Sequence, residues 1–159
     1  MTEPTTEPLT EVRLEPVTED NWRECAALAV RPDQADHVAP VTYYLCLCTY
    51  GSTWQPLAIV RGDTVVGFCM WAVDDDGSRW VGGLVVDAAV QRSGVARSAL
   101  TALIARFEAE PGCTGVALSY SPDNVAARRL YAALGFVETG ETEDDGAEVV
   151  ARRPLTSAR

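Results

Sequence analysis

The spacing of apolar residues changes period several times along the chain. Glu11 to Val17 alternates apolar with polar positions and predicts an opening strand. Thr18, followed by Glu19 and Asp20, then predicts a helix start with Thr18 as N-cap and acids in the first turn. Trp22, Cys25, Ala26 and Ala29 fall on one face of that helix, and Arg31-Pro32 ends it. Val41, Tyr44, Leu45 and Cys48 predict a second helical face, although Pro40 and nearby β-branched residues weigh against it. From Trp54 the period drops to two. Leu57 to Val60, a turn at Gly62-Asp63 and Val65 to Val73 predict a hairpin, and Asp74 to Ser78 turns the chain into the apolar run Val81 to Val86. Gly82 and Gly83 interrupt that run, as at a bulge or where another backbone or a ligand approaches closely.

After the run, Leu100, Leu103, Ile104 and Phe107 form one apolar helical face, and Pro111-Gly112 breaks the chain. The strand Gly115 to Ser121 should return beside Leu84 to Asp87 as a right-handed parallel crossover. Ser121-Pro122 predicts an N-cap followed by proline at the first helical position. Ala127, Leu130, Tyr131 and Leu134 should form that helix's inner face, with Gly135 as its left-handed stop. Phe136 to Thr139 and Glu148 to Leu155 predict a closing antiparallel pair around the acidic loop 140–146. The elements thus describe an α/β chain, with residues 1–10 as a flexible polar tail and residues 11–159 as one domain without repeats or linkers.

Composition narrows the possibilities. At 159 residues the chain fits a single domain with a full core. Hydrophobic residues make up 47% of it, yet no apolar run approaches the roughly 20 residues that cross a bilayer. The first residues have neither the basic start nor the apolar middle of a signal peptide. Five cysteines, mostly among apolar neighbours, read as reduced core residues and point to the cytoplasm. Cys46-x-Cys48 has the wrong spacing for a zinc knuckle, and one histidine, His37, does not complete a metal site. A net charge of −10 argues against nucleic acid as partner and accommodates a cation.

The candidate chemistry lies between the strand ending Leu84-Val85-Val86 and the helix carrying Leu100. Gln91-Arg92-Ser93-Gly94-Val95-Ala96 brings small residues to a helix start, where unpaired amides and the macrodipole favour an anion. Arg92 adds a charge suited to phosphate. Any strand-to-helix turn favours serine and glycine, so the loop alone does not decide. Walker A and Rossmann glycine patterns are both absent.

Gln91-x-x-Gly94-x-Ala96 after such a strand resembles the acetyl-CoA loop of the GNAT superfamily of N-acetyltransferases. Asn124 at a helix start and Leu130-Tyr131-x-x-Leu134-Gly135-Phe136 at its end look like the same family's second half. Asn21-Trp22, Trp54-Gln55-Pro56 and Ser119 to Asn124 look closest to its bacterial spermidine/spermine acetyltransferase-like branch. The resemblance implies a central mixed, mostly antiparallel sheet with one splayed parallel strand pair and about four helices. It implies that acetyl-CoA is the acyl donor, its pantetheine arm pairing with the backbone of Leu84, Val85 and Val86 and its pyrophosphate resting on Gln91, Arg92, Ser93, Gly94, Val95 and Ala96. An N–H of that strand would donate to the developing oxyanion. Asn124 would reach the pantetheine or a structural water, and Tyr131 would be the general acid toward sulfur. The acceptor would be a small primary amine, a polyamine first, and relatives of this kind commonly form homodimers.

Three alternatives stay open. Tyr131 could be core packing alone, Asn124 a helix-start residue alone, and the protein a non-catalytic acyl-CoA-binding module; a protein N-terminus or lysine is the rival acceptor. For the base, Glu24 on the first helix, Asp87 at the strand end and the run Glu141, Glu143, Asp144, Asp145 and Glu148 are all candidates, and the run reads equally as a solvated turn.

Overall fold

Seven strands and four α-helices follow one another through residues 11–155, which the computed structural model describes. The tail expected over residues 1–10 lies outside the described residues. In chain order the elements are β1 (Arg13–Pro16), α1 (Trp22–Ala26), α2 (Val41–Tyr50), β2 (Gln55–Arg61), β3 (Thr64–Val73) and β4 (Arg79–Val86). Then come α3 (Val95–Glu108), β5 (Gly115–Tyr120), α4 (Val125–Ala133), β6 (Val137–Glu143) and β7 (Glu148–Pro154). The sheet order is β1-β2-β3-β4-β5-β7-β6, so the last strand inserts beside β5 and leaves β6 at the edge. Every neighbouring pair is antiparallel except β4 and β5, which α3 connects as a parallel crossover. This is the mixed, mostly antiparallel sheet that was expected. None of the described helices is long and apolar enough to cross a membrane.

Strand alternation sends successive side chains to opposite faces, and the two faces are covered by different helices. Leu57, Cys69, Trp71, Val81, Val116 and Leu118 meet Leu100, Leu103, Ile104 and Phe107 of α3. Ala58, Val60, Phe68, Met70 and Val85 point the other way, toward Cys25 and the α2 residues Val41, Tyr44 and Leu45. All four predicted α3 residues are buried, and each such side chain contributes about 1.5–3 kcal/mol through removal from water. Cys25, Cys69 and Cys113 are core residues with free thiols. Burial pushes the Cys25 thiol up to about 11 and the Cys69 thiol up to about 12, which keeps both from reacting as thiolates. Cys46 is exposed and Cys48 half-buried, so the core reading fails for the former.

Three boundaries differ from the sequence pattern for local reasons. Thr18 does not cap α1. Its carbonyl accepts from Trp22 N–H and its hydroxyl from Asp20 N–H, forming a turn ahead of a five-residue helix whose buried residue is Cys25 alone. Trp22 and Ala29 consequently remain exposed. At the other end of the chain, Ser121 closes a turn through Asn124 N–H, and α4 begins only at Val125. Finally, β6 runs to Glu143, which places Glu141 and Glu143 on a strand and shrinks the acidic loop to the turn after it. Gly140, at φ 87°, absorbs the register shift between Glu138 and Thr142 that this longer strand requires.

Candidate active site

The parallel pair β4 and β5 is hydrogen-bonded over three steps only, Arg79–Val116, Trp80–Ala117 and Val81–Leu118. Beyond Val81 the strands part, because β4 carries a bulge. Phe68 pairs with Val85 and Met70 with Gly82, so β4 uses three steps where β3 uses two, and Gly83 takes φ 57°. The close approach at the glycines is made by two aromatic side chains and not by another backbone. A Cβ on Gly83 would lie 3.1 Å from Tyr44 Cγ, and one on Gly82 would lie 3.1 Å from Trp54 Cη2.

The ladder settles which β4 amides face the gap. Asp87 N–H donates to Val66 O at 2.9 Å, and antiparallel pairing alternates, so the polar groups of Val85 point to β3. Leu84 and Val86, on either side of it, face the opening. The expectation that all three would offer backbone to a bound arm is therefore corrected: the register commits Val85 to the sheet. Gln91 Nε2 donates to Val86 O at 3.0 Å and to Gln34 Oε1 at 2.7 Å, so this side chain fastens the loop to the strand end.

Past a single 3-10 turn at Ala88–Val90, Arg92 (φ 65°) and Gly94 (φ 82°) swing the chain into α3. The Ser93 hydroxyl is taken up by Val90 O, which turns it into the loop. Gly94 is the N-cap, and the first backbone bond of the helix is Ser98 N–H to Gly94 O at 3.0 Å. The amides of Val95, Ala96 and Arg97 thus have no intrahelical acceptor. They line a cavity of about 490 Å³ together with Gln91, Arg92, Gly94 and Arg31, closed on the far side by Ala126, Ala127 and Leu130 of α4.

A second cavity, of about 710 Å³, opens on the other side of the gap. Tyr44, Trp54 and Trp80 give it aromatic walls, and Asp74, Glu143, Asp144 and Glu148 give it four carboxylates, with no lysine or arginine among the described residues that line it. The two cavities share Leu84, Asn124, Tyr131, His37 and Val38, so they converge where β4 leaves β5.

Tyr131 is set at that point by the way α4 ends. Gly135 (φ 91°) donates to Ala132 O, and Phe136 N–H reaches back to Tyr131 O at 3.0 Å, a paired closure that a residue in the left-handed region makes possible. Its accompanying apolar contact is between Phe136 and Tyr131, whose ring centroids are 6.0 Å apart, and Tyr120 packs on Tyr131 at 5.2 Å. Among the described residues none hydrogen-bonds the Tyr131 hydroxyl. Burial, followed by the neighbouring Tyr120 and the negative Glu148, holds this phenol well above the usual tyrosine range.

Asn124 Oδ1 accepts from Ala127 N–H at 3.2 Å, so Asn124 is the true N-cap of α4 while also lining both cavities. Asn124→Ala should lower stability by about 1 kcal/mol, read as an earlier urea midpoint. The ionisable candidates separate cleanly. Glu24 lies on the exposed face of α1 and lines neither cavity, so the structure does not bring it to the site. Asp87 Oδ1 accepts from Ala29 N–H at 3.2 Å and serves as a tie between segments. Glu141 is paired with Arg152 through two contacts of 2.9 Å. Glu148 faces the second cavity and accepts from Ser119 Oγ at 2.6 Å. Sequence reasoning did not single out Ser119, Tyr120, Gln34 or the position of His37. Ser119, Tyr120 and Gln34 each meet a residue distant in sequence, which leaves no local pattern.

A transferase that must hold two reactants at one point needs two approaches to it, and a sheet that opens between parallel strands supplies them from opposite ends. That is the architecture of an N-acetyltransferase. The chain belongs to the Acetyltransferase (GNAT) family, whose model matches residues 15–136, and it is an enzyme that takes its acyl group from acetyl-CoA. It is 27% identical over 153 residues to the spermine/spermidine N(1)-acetyltransferase of Bacillus subtilis (strain 168), covering 89% of this chain and 97% of that one. It is 30% identical over 106 residues to the ribosomal protein bS18 alanine N-acetyltransferase of Haemophilus ducreyi, covering 65% and 70% respectively. Its fold matches that of an aminoglycoside acetyltransferase in complex with coenzyme A and kanamycin, with a TM-score of 0.73 at 21% identity over 91% of this chain and 95% of the other.

Proposed function

We propose that this enzyme acetylates a primary amine of a small polycationic acceptor, with a polyamine such as spermidine as the first choice. The observation that carries the reading is the charge of the 710 Å³ cavity: four carboxylates, no lysine or arginine among its described lining residues, and aromatic walls suited to alkyl chain and ammonium alike. The similarity to the Bacillus subtilis spermine/spermidine enzyme points the same way. The other cavity fits acetyl-CoA, since three unpaired amides and the guanidinium groups of Arg31, Arg92 and Arg97 meet its phosphates at one end. The open backbone of Leu84 and the N–H of Val86, whose carbonyl Gln91 occupies, then lead the pantetheine toward Tyr131. In this reading Tyr131 protonates the departing sulfur and Asn124 orients the arm at the junction. A peptide N-terminus is the second reading, supported by the volume of the cavity and by the Haemophilus ducreyi relative. The buried free thiols suit a reducing, cytoplasmic setting.

Thiol release from acetyl-CoA with a panel of polyamines, aminoglycosides and peptides tests the proposal. Spermidine or spermine should give the highest kcat/KM. A peptide winning by tenfold or more, on the order of 1.4 kcal/mol in transition-state binding, would transfer the assignment to the second reading. Binding of CoA with no turnover of any amine would leave only a binding module. On the donor side, Ala96→Asp puts a carboxylate among the free amides of α3 and should weaken acetyl-CoA binding by about 30-fold or more by calorimetry, with Tm little changed. Affinity unaffected by that charge would move the phosphates elsewhere.

A further inference from the structure

Four carboxylates line the acceptor cavity, and they are not equivalent. Asp74 closes its own turn by accepting from Asp75 N–H at 2.8 Å, and Glu143 and Asp144 are exposed at the β6–β7 connection. Glu148 alone is half-buried, at the first position of β7, where the strand pairs with β6 through Glu143 and leads into the ladder with β5 through Tyr120 and Val149. Its Oε2 accepts from Ser119 Oγ at 2.6 Å, which fixes one oxygen and leaves Oε1 for the cavity. Tyr131 on α4 and Tyr44 on α2 line the same cavity as Glu148, and its charge bears on both phenols. The other titratable groups facing that space are Tyr120 of β5, His37 of the loop before α2, and the mouth carboxylates already named.

We infer that Glu148, held by Ser119, is the catalytic base that takes a proton from the acceptor ammonium, with Ser119 as its positioning residue. This rests on the acetyl-transfer reading above and adds the proton path that it lacks. An ammonium nitrogen has no lone pair, so R–NH₃⁺ must lose one proton before its nitrogen can form the C–N bond. That proton passes to Glu148 and from its half-exposed carboxylate to solvent through the mouth. As C–N forms and C–S breaks, the nitrogen sheds a second proton, which replaces the one that Tyr131 delivers to sulfur. The products are the acetamide, CoA thiol and one proton in solvent. Glu143 and Asp144 at the mouth attract the cation without touching the reacting nitrogen.

Glu148→Gln keeps the size of the side chain and a hydrogen bond with Ser119 while removing the base. Its kcat with the best amine at pH 7 should fall about 100-fold, with acetyl-CoA affinity by calorimetry within about twofold of wild type. The deficit should shrink as pH rises toward about 10, where an alkylamine supplies its own lone pair without help. Glu148→Asp should recover part of kcat, and Ser119→Ala should lower kcat several-fold with the same pH trend. Glu143→Gln should instead raise the acceptor KM. A loss for Glu148→Gln confined to acceptor KM, or a kcat deficit that stays constant with pH, would make Glu148 an anchoring group and overturn the assignment. If the wild-type enzyme turns over no amine, the acetyl-transfer reading itself falls and the base with it.

Discussion

Tyr131→Phe should lower kcat by about 10³-fold while acetyl-CoA affinity stays within about twofold and Tm is unmoved. The substitution deletes the phenolic O–H and nothing else. The ring stays packed between Tyr120 and Phe136, and the backbone closure of α4 through Gly135 and Phe136 does not involve the side chain. Because no described residue hydrogen-bonds the hydroxyl, its removal leaves no buried partner unsatisfied, so a stability cost is not expected. What is lost is the proton at the junction of the two cavities, next to the Leu84 backbone where β4 opens. The same burial that holds the phenol protonated has a consequence for pH. A tyrosine ordinarily titrates near about 10, and the folded environment of Tyr131 raises it, so the alkaline limb of kcat due to this group lies above that value. Single-turnover thiol release with and without amine, alongside calorimetry with CoA, separates the outcomes. A kcat within a few-fold of wild type would reduce Tyr131 to a packing residue and remove the proposed acid.

Elements whose signal is a repeating period were legible along the chain. The α3 face Leu100, Leu103, Ile104 and Phe107 is buried residue for residue, and the α4 face Ala127, Leu130, Tyr131 and Leu134 is the half-buried side of that helix. It is only half-buried because the 490 Å³ cavity runs along it, which no periodicity announces. Boundaries were less legible where a polar side chain had two uses. Thr18, Ser121 and Asn124 all suit a helix start. Only the turn made by Asn124 N–H on Ser121 O decides that Asn124 caps α4. Among the site residues, the loop from Gln91 to Ala96 and Tyr131 stood out because their chemistry depends on local conformation. The choice among acidic residues was illegible, since it depends on cross-strand partners. Glu141 meets Arg152 eleven positions away, while Glu148 meets Ser119 twenty-nine positions away, and nothing in the spacing of the run distinguishes them. Glu24 illustrates the converse. Its helical position is as expected, but it lies on the exposed face of α1 and lines neither cavity.

Gly83→Val should destabilise the protein by about 4 kcal/mol, a large part of the roughly 5–15 kcal/mol available to a domain of this kind. Two separate costs combine. Gly83 is at φ 57°, where a β-branched side chain is strained by about 1–2 kcal/mol. The new Cβ would also sit 3.1 to 3.3 Å from three atoms of the Tyr44 ring, and overpacking of that kind costs about 1–3 kcal/mol. Tyr44 has little room to yield, since its hydroxyl accepts from Ala39 N–H at 2.9 Å and its ring stacks on Phe68 with centroids 6.2 Å apart. Gly62 provides the internal control. It has nearly the same φ, 62°, but nothing lies within 4 Å of its Cβ position, so Gly62→Val should show the backbone strain alone. The difference between the two urea-derived stabilities therefore isolates the ring contact, and equal losses would show that Tyr44 is not what makes glycine necessary in β4. The same comparison bears on function. Displacing Tyr44 moves a wall of the 710 Å³ cavity, and straightening the bulge would let β4 continue beside β5 past Val81, closing the gap in which the two cavities meet. Residual Gly83→Val enzyme, assayed below its own melting temperature, should thus lose amine turnover out of proportion to the fraction unfolded, whereas Gly62→Val should lose only what unfolding explains.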